Sequence, residues 1–148
     1  MVSIQNNSDD ALQVRQVIDN FTEAFRTKNI EMMMSLYAPN FVAYDIVPPL
    51  QDVGKEKYRE IWIKVFAFFK DPIVFETRDL SISAGSDVAF CYQLLRLQAT
   101  MPNGQQVDRW ERLTFGFKKI NGTWLIEHEH VSVPADLFLG KAVLDLKP

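Results

Sequence analysis

The chain has 148 residues, is 47% hydrophobic and 24% charged, and carries a net charge of -3, a balance that suits one folded domain with a sizeable core and excludes disordered, collagen-like and disulfide-scaffold classes. There is no basic stripe to hold a phosphate backbone and no apolar run near the roughly 18 residues of a membrane helix, so neither nucleic acid nor membrane is expected as a partner. The polar start from Met1 to Asp10 lacks the basic and apolar regions of a secretory signal, and the single cysteine, Cys91, lies inside an apolar run, so a cytoplasmic protein with a packed thiol is expected.

In chain order, Ser8, Asp9 and Asp10 are helix-start residues ahead of Leu12, Val14, Val17, Ile18, Phe21, Ala24 and Phe25. Their spacing of three and four predicts an amphipathic helix of about five turns. Lys28 and Asn29 suit its end, and Ile30, Met33, Met34 and Tyr37 form a shorter helical stripe that Pro39 stops. Phe41 to Ile46 is β-prone, puts Phe41, Ala43 and Asp45 on one face, and ends at Pro48 and Pro49, which makes Asp45 a carboxylate at a strand's end. Beyond Gly54, the residues Tyr58, Ile61, Trp62, Val65, Phe66 and Phe69 recur at helical spacing as far as Asp71 and Pro72, giving a third helix with the heaviest aromatic face. Strands are then expected at Ile73 to Ala84, Val88 to Thr100, Gln106 to Ile120 and Trp124 to Val133, parted by turn signals that include Asn121 and Gly122. An antiparallel meander follows. The remaining stretch, 135–148, carries Leu137, Phe138, Leu139, Val143, Leu144 and Leu146, an apolar tail expected to cover its own pocket mouth or a second subunit.

The final strand holds both histidines. A side-chain period of two puts Trp124, Ile126, His128, His130 and Ser132 on one face and Leu125, Glu127, Glu129 and Val131 on the other. Read this way, both imidazoles share the buried face, where they could act as acid or base, donate to an anionic intermediate, or hold a metal with Asp45 or Glu111 as third ligand. The preceding strand allows two readings. Leu113, Phe115 and Phe117 as core would carry Glu111 inward, whereas a β-bulge would turn Trp110 and Arg112 inward, where an arginine would favour an acidic ligand.

Three helices and then a long meander, with Asp45 on the short strand between the second and third helices, resemble the nuclear transport factor 2-like superfamily. The ending from Gly122 to Pro134, with Trp124, Glu127, His128, Glu129 and His130, is similar to the SnoaL-like, ketosteroid isomerase-related branch, and the kinase II association domain has a similar ending. The resemblance covers about residues 10 to 134. It implies an α+β fold, a cone-shaped curved antiparallel sheet wrapped around three N-terminal helices in a cystatin-like or ketosteroid isomerase-like roll. The whole of 1–148 is then one domain, with its core at about 10–134 and a tail at 135–148.

The resemblance also implies a small-molecule cavity, and Asp45 falls where ketosteroid isomerases keep a proton-shuttling aspartate. Their oxyanion hole is not matched, because the helix position reads Phe21 and the region from Phe115 to Phe117 has no carboxylate. The expectation is a homodimer that binds a small apolar or amphipathic molecule and, if catalytic, transfers protons without a cofactor or metal. Asp45 would be the base and His128 the proton donor, with Phe21, Tyr58, Trp62, Phe66, Trp110, Arg112 and His130 around the substrate. The alternative is a non-catalytic binding or oligomerisation module.

Overall fold

In the computed structural model, which describes residues 3–4 and 9–148, the first apolar stripe folds as α1, Asp9–Arg26. Ser8, read as part of its start, lies outside the described residues. Ala11, Val14, Ile18, Phe21 and Phe25 keep the three-and-four spacing and are buried, whereas Leu12, one residue out of phase, is 55% exposed and leaves the stripe. The helix closes on Lys28 in the left-handed region at φ 53°, with Lys28 N–H donating to Phe25 O and Asn29 N–H to Ala24 O, which satisfies carbonyls at the helix end. Asn29 then caps α2, Ile30–Ser35, by accepting the Met32 N–H at 3.0 Å. Tyr37 opens a strand, β2 (Tyr37–Tyr44), instead of closing this helix, and Pro39 is tolerated inside it because pairing is irregular between Tyr37 and Val42. After the two-residue β3, Asp52–Val53, Gly54 at φ 94° leads into α3, Lys55–Phe68, which buries Tyr58, Trp62 and Phe66.

The strands β4 (Lys70–Ala84), β5 (Val88–Thr100), β6 (Gln106–Ile120) and β7 (Thr123–Ser132) form the antiparallel meander that the turn signals predict. With β1 (Ser3–Ile4), the sheet order is β1-β4-β5-β6-β7-β2-β3. The fold class is α+β with a curved sheet, as expected, but the sheet is mixed: β2 runs parallel to β7, and β1 parallel to β4. No hairpin joins β2 to β7, so nothing imposes the antiparallel direction there. The helices cover the inner face, where Phe25 stacks on Phe75 with ring centroids 4.1 Å apart and Phe21 meets Phe115 edge-on at 5.0 Å. Truncating a ring such as that of Phe115 to alanine should cost about 3 to 5 kcal/mol.

One irregularity decides the site. Across β6 and β7, Gly116 pairs with His128 but Phe117 pairs with Ile126, so Glu127 is an extra residue in β7. An inserted residue reverses the alternation of faces. Trp124 and Ile126 point to the core, as the period of two requires, but past the bulge Glu129 is the buried residue, 3% exposed, and His130 is exposed.

The tail forms a small hairpin of β8 (Ala135–Asp136) and β9 (Lys141–Ala142). Asp136 Oδ1 accepts the N–H groups of Phe138 and Leu139 at 2.9 and 3.0 Å, fixing a tip on which Leu137, Phe138 and Leu139 are all exposed. Among the described residues, no helix is long and apolar enough to cross a membrane.

Candidate functional site

Between α1, α3 and the inner sheet face lies a cavity of about 510 Å³. Its apolar wall comes from Phe21 and Phe25 on α1, Tyr58, Ile61, Trp62 and Val65 on α3, and Phe75, Leu95, Leu97 and Leu113 on the sheet. Polar groups are few: Asp45, just beyond β2, Lys64 on α3, Arg109 and Glu111 on β6, and Glu129 on β7. Arg109, Glu111 and Leu113 recur every second residue along one strand, so the reading in which the apolar trio carries Glu111 inward is the observed one.

The polar groups form a chain of contacts. Trp62 Nε1–H donates to Tyr37 Oη at 3.1 Å, and Tyr37 O–H donates to Glu129 Oε2 at 2.8 Å. Tyr58 Oη lies 3.4 Å from Glu129 Oε1 and 3.5 Å from Asp45 Oδ2. One phenolic proton can serve only one of these carboxylates at a time. The other oxygen of Asp45 accepts the Ile46 N–H at 2.6 Å. Arg109 Nε–H donates to Glu111 Oε1 at 2.5 Å.

Burial sets the protonation. It pushes Glu129 up to about 8, against the pull of the Tyr37 hydrogen bond and with the help of the Asp45 charge, so this carboxyl holds its proton at neutral pH. Burial also raises Asp45, opposed by the Ile46 N–H, and raises Glu111, opposed by the adjacent Arg109 guanidinium. Tyr37 and Tyr58 lie well above the usual phenol range, first through burial and then through the Glu129 charge, and stay protonated.

Of the residues expected around the cavity, Asp45, Phe21, Tyr58 and Trp62 line it. Phe66 does not: it sits at the far edge of the α3 stripe, packed on Phe25 and Trp62. His128 and His130 are on the outer face because of the bulge. Tyr44 meets their rings edge-on at 4.7 and 5.6 Å, and His128 Nδ1 lies 2.9 Å from Val42 O, a carbonyl that can only accept, so Nδ1 carries the proton. Trp110 and Arg112 also leave the cavity, since each alternates with the inward Arg109, Glu111 and Leu113, and Arg112 Nε–H donates to Ser132 Oγ at 3.1 Å. The sheet therefore separates the histidines from Asp45 and Glu111, and among the described residues no three of His, Cys, Asp and Glu gather to hold a metal ion. Tyr37, read as helical, and Glu129, read on the face away from the core, are the site residues that the sequence reading missed, whereas Arg109 follows from the same alternation that carries Glu111 inward. A signal was present: Ile126 and Val131 both need burial but are five apart, an odd interval that only a bulge reconciles.

A cone of helices and curved sheet around an aromatic cavity with a few buried carboxylates defines a class, and sequence comparison places the chain within it. The SnoaL-like domain family matches residues 14–136, and the chain belongs to this family, within the nuclear transport factor 2-like superfamily. An NTF2-like protein of unknown function from Pseudomonas putida KT2440 is 32% identical over 93% of this chain and 96% of its own, with a TM-score of 0.85. A Xanthomonas campestris protein named as a calcium/calmodulin-dependent protein kinase II association domain is 21% identical over 91% and 94% of the two chains, with a TM-score of 0.75. A ketosteroid isomerase-like protein from Erwinia carotovora atroseptica is 18% identical over 84% and 96%, with a TM-score of 0.74. The last two share the fold alone. No curated protein matches the sequence.

Proposed function

We propose that this protein binds a small apolar or amphipathic molecule in the cavity and moves a proton on it, as a cofactor-free isomerase, cyclase or dehydratase would. The observation that carries this reading is Asp45, a carboxylate on the wall of an aromatic cavity, made more basic by burial and connected through Tyr58 to a carboxyl that already holds a proton. Asp45 would remove a proton from a carbon next to an electron-withdrawing group, and the neutral Glu129, relayed by Tyr58, would restore or share the proton as charge builds. Glu129 thus takes the donor role that the sequence reading gave to His128.

The test is deuterium incorporation from heavy water into ketones with acidic α-protons, followed by proton NMR with wild type and Asp45→Asn. A general base contributes roughly 10² to 10⁴ in rate, so the variant should lose about that much. Equal rates with the two proteins refute the assignment and move the weight to a non-catalytic binding module.

Self-association is the second part of the reading. Support comes from the outer sheet face, where Val88, Phe90, Tyr92 and Tyr44 are exposed on the same side as the histidines, and from the apolar hairpin tip. A second copy of this chain is the partner that such a face suits, giving a homodimer. The buried, unpaired Cys91 suits the reducing cytoplasm.

A further inference from the structure

Arg109 is engaged on one edge only. Glu111, two residues along β6 and on the same face, takes the Nε–H, and the two side chains are 23% and 7% exposed. Among the described residues, no hydrogen bond is made by the terminal amino groups, Nη1 and Nη2, although the residue lines the cavity. A guanidinium fixed along one edge keeps its remaining donors in a planar fork, and partly desolvated donors gain most from an acceptor that arrives with a ligand.

Asp45 and Glu111 already face Arg109, and Lys64, the other cation of the lining, is exposed to solvent, so a ligand bringing a full negative charge would set a third anion against the one partly buried cation. A protonated amine would instead set its charge against the guanidinium. A neutral carbonyl oxygen meets neither obstacle.

We infer that Arg109, oriented by Glu111, is the group that selects the ligand, and that the cavity takes hydrophobic aldehydes, ketones or thioesters whose carbonyl oxygen sits on the Arg109 fork. This deepens the proposed function and rests on the same cavity. The electron balance is closed: when Asp45 takes the α-proton, the C–H electron pair forms a carbon–carbon double bond and the carbonyl π pair moves onto oxygen. Asp45 becomes neutral as the oxygen becomes anionic, so the charge of the cavity is unchanged while the negative charge moves toward the fork. Glu111 is a positioning residue, since it acts through the arginine.

The experiment uses three probes of one shape, 2-tetralone, 2-aminotetralin and tetralin, with affinities measured by calorimetry on the intact protein. A hydrogen bond from a charged donor is worth on the order of ten- to a hundredfold in affinity. The ketone should bind more tightly than the hydrocarbon and the amine by about that factor. Arg109→Gln should erase the preference, while Arg109→Lys keeps the charge without the fork and restores only part of it.

An amine that binds as tightly as the ketone, or a ketone preference that survives Arg109→Gln, overturns the assignment. The wild-type series decides the ligand class even if the Gln variant does not fold. The parent reading fails separately: Arg109-dependent ketone binding without deuterium exchange leaves the fork and removes the proton transfer. Exchange that depends on Asp45 but not on Arg109 does the reverse.

Discussion

Replacing Glu129 with glutamine tests the electrostatics of the cavity without needing its ligand. Glutamine keeps an oxygen to accept from Tyr37 O–H but cannot ionise. In the folded protein the Glu129 carboxyl titrates at about 8, against an ordinary value of 4.5. A carboxyl raised on folding contributes stability that is complete below pH 4.5 and is lost as the pH climbs through about 8, because the unfolded chain releases the proton first. At about 1.4 kcal/mol for each pH unit, that interval corresponds to about 5 kcal/mol. Glu129→Gln should therefore gain on wild type as the pH rises, by most of that amount between pH 4 and pH 9. Urea unfolding of both proteins across this range measures the difference, and groups common to the two cancel. Parallel stability curves, with a gap constant to within about 1 kcal/mol, would refute a neutral Glu129 and with it the donor role.

Other expectations follow from the same geometry. His128→Ala and Arg112→Ala should leave ketone affinity and exchange within about twofold of wild type, since both side chains lie on the outer face; a tenfold loss in either would put that side chain in the cavity. Serine at Leu137, Phe138 and Leu139 together should shift sedimentation velocity profiles toward monomer, and an unchanged assembly would remove the hairpin tip from the interface. Cys91, with its thiol pushed up to about 12 by burial, should react with an aromatic disulfide reagent only as the protein unfolds. Prompt labelling in native buffer would contradict that burial.

Apolar periodicity was enough to set the three helices and the four long strands of the meander, though not the start of β2 at Tyr37 or the two-residue strands. The three-and-four spacing of Val14, Ile18, Phe21 and Phe25, the aromatic stripe of α3 and the turn signal at Asn121 and Gly122 are local, and local spacing dictates which element forms and which side of it seeks burial. Asp45 was legible for the same reason: it follows Phe41 and Ala43 at intervals of two, so a carboxylate was bound to stand at the inner end of β2.

The interval from Ile126 to Val131 calls for a bulge in β7, but where it falls is decided by how β7 registers against β6. That is a property of two strands, and a single extra residue, Glu127, turns the paired histidines outward and buries Glu129. The direction of β2 is likewise settled by the neighbour it meets across the sheet. Tyr37, Tyr58 and Glu129 are far apart in sequence, and only packing brings two phenols onto one carboxyl and removes the water that would let it ionise at its ordinary pH.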